Sequence, residues 1–314
     1  FAYPHRIGRQ REGARDRYLL RSGRGAAFRE SQSLSGSEWL VAAEVEGRGR
    51  DARIFRAAPV EAEEVEERFQ AQIQEVEEVR WDAGAGRVRA FRRRKLGALV
   101  LSEAPLGDAA PHVVARGLLE GIRETGMEPA LPWSRDTTQL RERLHFLHRW
   151  QGAPWPDASA EGLEASLEAW LLPFLPGMRS LDDLKRLDLA EALLARVPWE
   201  LRSRLDELAP SHLPVPSGSR IRIDYSDPEA PVLAVKLQEV FGMTETPRIG
   251  GGRVPLTMKL LSPAQRPVQV TRDLASFSQA AYFDVRKDMR GRYPKHPWPE
   301  DPLAAQATRR TKRR

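Results

Sequence analysis

The spacing of the apolar residues changes along the chain, and this change constrains the fold more than any other feature of the sequence. Between residues 17 and 107, short apolar or alternating runs at 18–20, 39–45, 53–58, 88–91 and 96–101 are separated by Gly and Ser clusters. Short strands punctuated by turns in this way predict a small barrel or sandwich. The Glu-rich stretch 60–79 fits either an inserted helix or a strand pair with acidic outer positions.

Leucines at helical spacing dominate residues 108–210. One stripe comprises Leu140, Leu144 and Leu147, and further stripes lie within 163–175, 184–194 and 201–208. This periodicity predicts a helical core rather than a ligand-binding box. Ser159 or Asp157 is a plausible helix cap, and 180–183 has the pattern of a cap followed by acids in the first turn.

The spacing changes again near the end of the chain. After a linker-like break at 214–218, alternating residues predict strands at 221–225 and 256–260, and helical spacing predicts helices at 233–241 and 274–285. We therefore expect a mixed α+β protein in four parts. Its parts are an OB-like β-barrel region at 1–107, a helical region at 108–210, a C-terminal α/β domain at 211–307, and a disordered basic tail at 308–314.

The charge is unevenly distributed. The chain carries a net charge of +6, but residues 212–314 contain eighteen Lys or Arg against ten Asp or Glu. Arginine makes up 43 of the 50 basic residues. A guanidinium matches phosphate well because its planar fork donates two parallel hydrogen bonds. A GC-rich genome also explains the arginine excess, so the two explanations stay open.

Several kinds of chemistry are excluded or disfavoured. The chain has no cysteine, which rules out disulfides, thiolate metal sites and cysteine nucleophiles, and fits the cytoplasmic location that we expect. We find no apolar run of bilayer length, so membrane insertion is not predicted. We also find no phosphate-binding loop motif, so nucleotide binding of that kind is not predicted. The stretch 250–252 is predicted to be a loop, and His145 and His148 are predicted to be structural. No catalytic residue and no metal site is predicted.

Two basic clusters are candidates for nucleic-acid contact. The first surrounds a short strand and a Gly-rich turn, and its candidate residues are Arg17, Arg21 and Arg24. The second interleaves basic and aromatic side chains, namely Arg286, Lys287, Arg290, Arg292, Tyr293 and Trp298. Basic residues neutralise phosphates and aromatic faces stack on unpaired bases. The alternative is that Tyr293 and Trp298, which lie among prolines, pin an extended segment to the body. A third cluster at 92–95 is predicted to be a solvated loop.

The last hundred residues resemble a known family. The motifs Val-Pro-Ser-Gly-Ser at 215–219, Ile-Asp-Tyr at 223–225, Leu-Leu-Ser-Pro-Ala at 260–264 and Arg-Gly-Arg-Tyr-Pro-Lys-His-Pro-Trp-Pro at 290–299 carry the resemblance. They resemble the C-terminal region of the bacterial ATP-dependent helicase HrpB, a DEAH-type helicase. The opening Phe-Ala-Tyr-Pro resembles the entry to the small barrel that follows the motor in such helicases.

The resemblance implies a non-motor portion of a helicase. The family's two RecA-like motor domains, which would bind ATP and Mg²⁺, have no counterpart in these residues, and no cofactor is expected in this chain. Because the sequence begins with Phe1, we expect a fragment or a processed product. The expected partners are single-stranded RNA or DNA and the motor domains of the parent chain. Rival hypotheses are a module that recruits a protein partner and an independent enzyme.

Overall fold

The structure is a computed structural model that describes residues 3–30, 32–47 and 51–311. These residues form two compact units. The first takes in the described residues of 1–124 and 176–183, and the second takes in those of 125–175 and 184–314. A barrel in the N-terminal region, helices in the middle and a mixed sheet near the end confirm the predicted α+β fold class.

The first unit consists mainly of strands. Its elements are β1 (Ile7–Gln10), β2 (Arg17–Leu20), β3 (Gly25–Ala27), β4 (Trp39–Glu46), β5 (Asp51–Pro59), α1 (Ala62–Phe69), β6 (Gln74–Asp82), β7 (Arg87–Leu96), β8 (Leu99–Pro105) and α2 (Pro111–Thr125). Short 3-10 helices occupy Pro4–Arg6, Ser33–Gly36 and Gln70–Gln72.

Five of these strands close into a barrel. Its strand order is β1-β2-β3-β5-β4, and all neighbouring pairs are antiparallel except the parallel pair β3 and β5. A small five-stranded barrel of this kind is OB-like, as the turn-punctuated strands predict. Tyr18, Leu20, Leu40 and Ile54 pack in one of its core clusters. The Tyr18 hydroxyl contacts the carbonyls of Leu34 and Ser37, each at 3.0 Å.

A three-stranded antiparallel sheet, in the order β6-β7-β8, follows the barrel. The Glu-rich stretch 60–79 contains a helix, α1, and the first six residues of one strand, β6. The helix alternative therefore holds for its first part, and the strand pair is wrong because β6 pairs with β7, outside the stretch. The expectation of a solvated loop at 92–95 is wrong, because these residues lie in β7. Their charges are compatible with a strand because facing acids on the neighbouring elements pair with them.

The second unit combines short helices with a mixed sheet. Its helices are α3 (Met127–Ala130), α4 (Arg135–Gln151), α5 (Ala160–Ala165), α6 (Leu167–Leu171), α7 (Leu181–Leu184), which begins in the first unit, α8 (Leu189–Leu194), α9 (Trp199–Arg202), α10 (Leu205–Leu208), α11 (Leu274–Gln279) and α12 (Tyr282–Arg292). Its strands are β9 (His212–Pro214), β10 (Arg220–Asp224), β11 (Val232–Lys236), β12 (Arg248–Ile249), β13 (Val254–Pro255), β14 (Thr257–Leu261) and β15 (Pro267–Thr271). Leu172–Phe174 and Leu237–Glu239 are 3-10 helices.

Helix α4 is the longest helix of this unit and buries the predicted leucine stripe. Ser134 caps it by accepting a hydrogen bond from the Thr137 amide at 3.1 Å. Two polar side chains on its buried face satisfy backbone carbonyls elsewhere in the unit. Gln139 donates to the carbonyl of Ile223 at 2.7 Å, and Arg143 Nε donates to that of Ala209 at 2.5 Å. These contacts fix the helix to the strand region because buried carbonyls need donors.

Five strands form a sheet in the order β15-β14-β11-β10-β9, in which β11 and β14 are parallel. The helix predicted at 233–241 is wrong, since this stretch holds β11 and a 3-10 turn. Leu233 and Val235 are buried and Ala234 is exposed, so the burial alternates as it does in a strand. The stretch 214–218 is not a linker either. It forms the turn between β9 and β10, with Gly218 at φ +82°.

The predicted C-terminal helix is divided into α11 and α12, with Asp273 capping the first by accepting from the Ser276 amide. Of the predicted disordered tail, residues 312–314 lie outside the described part of the chain. The Thr308 amide donates to the carbonyl of Gln238 at 2.9 Å, so the start of that segment is attached to the unit.

Candidate nucleic-acid interface

Two of the predicted arginines of the barrel are presented by β2 and by the turn that follows it. Arg17 begins β2, and Arg24 lies in the turn between β2 and β3, where Gly23 adopts φ +86°. Both arginines are exposed, and neither side chain has an ion-pair or hydrogen-bond partner within the described residues. The two guanidinium groups are therefore available to an anionic ligand from solution.

Arg21 has a different environment from its two neighbours. Its guanidinium lies 4.9 Å from the centre of the Phe69 ring and donates to Gln72 Oε1 at 2.6 Å. A cation over an aromatic face is stabilised by the ring quadrupole. The side chain is therefore held in one place before any ligand arrives, which lowers the entropic cost of binding.

Arg21 lines an open cleft of about 590 Å³ in the first unit. Its other lining residues are Pro4, His5, Ser22, Arg68, Phe69 and Gln72. Arg68 is exposed and adds a second cation that sequence reasoning missed. It belongs to the last turn of the otherwise acidic α1, so the local composition hides it. The two arginines and His5 make this cleft suited to a phosphate group.

The basic residues of β7 are not available in the same way. Arg93 is buried on both sides between Glu78 on β6 and Glu103 on β8, with contacts of 2.5 and 2.6 Å. Burial by itself lowers the pKa of Arg93, but hydrogen bonds and charge from both glutamates raise it overall. Arg94 pairs with Glu66 at 2.8 Å. Arg93 and Arg94 are thus neutralised by acidic side chains of β6, β8 and α1.

In the second unit, α12 carries the predicted basic residues. Lys287, Arg290 and Arg292 are exposed, and Arg292 pairs with Asp288 at 2.9 Å. Arg286 turns towards the protein, where its Nε donates to the carbonyl of Trp298 at 3.1 Å and its guanidinium lies 3.3 Å from Glu300. The predicted contact through Arg286 thus competes with a structural role.

The two predicted aromatic residues mainly hold the proline-rich segment in place. Trp298 is only 6% exposed, and its indole donates to the carbonyl of Tyr293 at 2.9 Å. Tyr293 is half-buried and packs edge-on against His296. Burial of Trp298 leaves no ring face for a base, so its predicted contact conflicts with the geometry and the pinning alternative is favoured.

Buried polar groups attach the same segment to the rest of the unit. Gln238 donates to the carbonyl of Pro297 at 3.1 Å and lies 3.0 Å from Nδ1 of His296. Burial, and secondarily the charge of Lys236, lowers the pKa of His296. The Tyr282 hydroxyl donates to the carbonyl of Pro299 at 2.9 Å. The second half of the family-like motif, residues 296–299, is therefore anchored to the unit, whereas Arg290 and Arg292 stay exposed.

The remaining candidate chemistry is structural. His148 Nδ1 lies 2.8 Å from the Trp155 carbonyl, and His145 lies 3.7 Å from Asp157. Within the described ranges, no cluster of three or more His, Cys, Asp or Glu side chains is placed to hold a metal ion. The stretch 250–252 forms a tight turn between β12 and β13, and all three glycines have positive φ. None of the helices in the described part of the chain combines the length and apolarity that crossing a membrane requires.

Comparison with known proteins identifies related sequences. Residues 170–302 match a family model described as "ATP-dependent helicase C-terminal", and residues 72–106 match one described as the connector region of the ATP-dependent RNA helicase HrpB. The connector match falls on the three-stranded sheet and the residues just before it. The ATP-dependent RNA helicase HrpB of Escherichia coli (strain K12) is 43% identical over 99% of the chain.

Solved structures give the same result. A crystal structure of the E. coli DExH-box NTPase HrpB matches 99% of the chain and 38% of its own length at 43% identity, with a TM-score of 0.63. A second, of the E. coli DEAH/RHA helicase HrpB, covers 95% of the chain and 37% of its own length at 38% identity, with a TM-score of 0.55. The chain spans about 39% of the length of the curated relative. The predicted resemblance of the chain to the C-terminal region of HrpB is confirmed.

Proposed function

We propose that this chain is the non-motor portion of an ATP-dependent helicase, and that it binds single-stranded nucleic acid and docks on the motor domains of its parent. The observation that carries the binding proposal is the arrangement of Arg17, Arg21 and Arg24 on an OB-like barrel. Two of these arginines are unpaired among the described residues, and the third is held in place beside Arg68 in an open cleft. Small barrels of this type commonly present such loops to single strands.

The proposal separates the tasks within the parent protein. ATP and Mg²⁺ would be bound by the motor domains of the parent chain. The chain would supply phosphate contacts that do not depend on base identity, since guanidinium groups recognise the backbone. Kinship with helicases and the lack of cysteine support a cytoplasmic location, which we propose with it.

Binding to labelled single-stranded RNA and DNA across a salt series tests this proposal. Counterion release predicts that log affinity falls against log salt with a slope of about −0.7 for each phosphate contacted. We expect the combined Arg17→Glu and Arg24→Glu variant to bind more weakly and to lose about 0.7 of slope per contact removed. The combined Arg116→Glu and Arg123→Glu variant, an equal charge change at two exposed positions of α2 outside the barrel, is the control and should bind as the wild type does. A folded wild-type chain that fails to bind at low salt would contradict the proposal.

A second candidate function is the recruitment of a protein partner. Trp199 in α9 is 78% exposed, an unusual position for a large aromatic side chain. Tryptophan is enriched in protein interfaces because it buries a large apolar area while its indole donates a hydrogen bond. Capture of a partner that survives nuclease treatment and is lost in Trp199→Ala would favour this function. Unchanged capture by Trp199→Ala would count against a role for this residue.

A further inference from the structure

Helix α12 exposes one aromatic and two basic side chains in a single stripe. Phe283, Lys287 and Arg290 are separated by four and three residues, so they follow one face of the helix over about 10 Å. Tyr282 and Met289 lie about 100° and 120° around the helix from Phe283 and are buried. The stripe is therefore a solvent-facing surface of the second unit.

Each member of this stripe is available to a ligand. Phe283 is 49% exposed, although phenylalanine usually lies in the core. An edge-on contact with Tyr282, at 5.9 Å between ring centres, supports the ring from one side. Lys287 and Arg290 are exposed and have no ion-pair partner among the residues that the structure describes. A side chain added at Gly291 would meet nothing within 4 Å, so the space beside the stripe is open.

The charges around the stripe favour an anionic ligand. Asp284 and Asp288 lie about 100° or more around the helix from Phe283, and Asp288 is engaged by Arg292. The ring face is thus flanked by cations on its own side of the helix. An aromatic face that stacks on a base, beside cations that neutralise phosphates, is the arrangement that binds unpaired strands. A duplex would not suit it, because its base faces are covered.

We propose that Phe283 stacks on an unpaired base of single-stranded nucleic acid, while Lys287 and Arg290 contact the adjacent phosphates. This inference rests on the proposed function and extends it to the second unit. Phe283 takes the place of Trp298 and Tyr293 as the aromatic contact, since Trp298 is buried and Tyr293 is half-buried. No sequence specificity is expected because every base has a face that can stack.

Variants at position 283 separate stacking from simple apolar contact. The probes are a fluorescein-labelled 20-nucleotide poly(dT) and poly(U), bound to the whole 314-residue chain. We expect Phe283→Ala to weaken binding at least about fivefold and Phe283→Trp to preserve it. Phe283→Leu should weaken binding nearly as much as alanine does, because it keeps the apolar bulk but has no aromatic face. Val270→Ala, an equally exposed apolar position on β15, is the matched control and should have no effect.

An oligonucleotide that lacks bases supplies an independent readout. Wild type should bind an abasic strand more weakly than poly(dT), whereas Phe283→Ala should bind both alike. Lys287→Ala and Arg290→Ala should each lower the salt slope by about 0.7, and Arg266→Ala, an exposed arginine outside α12, should not.

The outcomes distinguish the two proposals. If the wild type binds neither probe at low salt, the proposed function fails and this inference fails with it. If the wild type binds and Phe283→Ala binds equally well, only the inference is overturned and the barrel arginines keep their role. If Phe283→Leu binds as tightly as the wild type, the stacking role of Phe283 is overturned.

Discussion

At the scale of single residues, two glycines set how closely α2 approaches the three-stranded sheet. A Cβ at Gly117 would lie 3.0 Å from Val79, and one at Gly121 would lie 2.4 Å from the ring of Trp81. Glycine is unfavourable within a helix, so its presence twice at this spacing indicates that close packing outweighs helix propensity. The sequence shows both glycines, but it does not show that an indole lies against one of them.

Gly121→Ala should destabilise the first unit by about 1–3 kcal/mol, because the added methyl group overpacks a rigid site. Gly291→Ala is the matched control, since it lies in a helix with no atom near its Cβ position. We expect the control to be neutral or to stabilise by up to about 1 kcal/mol. Urea unfolding measures both free energies. Equal effects at the two positions would refute the packing argument.

The phenol of Tyr282 makes stability depend on pH. Burial raises its pKa to about 12, with Asp301 adding to the effect and Arg286 opposing it. The folded state favours the neutral phenol, so its contribution is complete below the unfolded pKa of about 10. That contribution is lost as the pH rises from about 10 to about 12.

We therefore expect the unfolding free energy of the second unit to fall between pH 9 and pH 12, and to fall less in Tyr282→Phe. At pH 8 the variant should be about 1 kcal/mol less stable because its hydrogen bond to Pro299 is gone. Urea midpoints across this pH range provide the measurement. A variant with the wild-type pH dependence would exclude Tyr282 as the cause.

At the scale of elements, β7 is held to both of its neighbours by one arginine. Arg93 is 13% exposed and bridges Glu78 and Glu103 across three strands. We expect Arg93→Met to cost about 1–3 kcal/mol, since both acids lose a charged partner. Arg92→Met, next to it but half exposed and 3.5 Å from Glu77, should cost less than about 1 kcal/mol. Urea unfolding measures both free energies, and equal losses in the two variants would show that the ion pairs of Arg93 add nothing to the stability of the sheet.

Elements with clear apolar periodicity could be predicted, and elements defined by their partners could not. The strand at 39–46 and the stripe of α4 follow their patterns. The strand β3 is Gly-Ala-Ala, which has no β propensity of its own and pairs because β2 and β5 flank it. In β11, apolar spacing that suits a helix is overridden by parallel pairing with β14.

The candidate interface was predictable only in part for a related reason. Composition located the basic clusters, but some of their members are exposed and others are buried. Which ones are buried depends on the fold, which the composition does not show. Trp298 and Phe283 illustrate the difference, since the aromatic residue in the conspicuous motif is covered and the inconspicuous one is exposed.

At the scale of the whole molecule, the first unit includes a segment that is distant in sequence. Residues 176–183 belong to it. The Val88 amide donates to the Arg179 carbonyl at 2.7 Å, and the Leu181 amide donates to the Gly86 carbonyl at 3.0 Å. The domain division proposed from the sequence stays a prediction, and the composition of 176–183 gives no sign that this segment joins the first unit.

Native-state hydrogen exchange should show this membership. We expect Gly121→Ala to accelerate exchange at the amides of both Val88 and Leu181, because lower stability of the unit promotes its opening. Gly291→Ala, in the second unit, should leave both amides unchanged. An exchange rate of the Leu181 amide that is the same in the wild type and in Gly121→Ala would show that residues 176–183 open separately from the rest of the unit.

The returning segment also affects the order of events during synthesis. The 51 residues of 125–175 must leave the ribosome before 176–183 becomes available to the first unit. At about 5–20 residues per second, this interval lasts roughly 3–10 s. For that time the nascent sheet edge at Gly86 and Val88 lacks its final partners, so a chaperone or an isolated strand has access to a surface that the finished molecule covers.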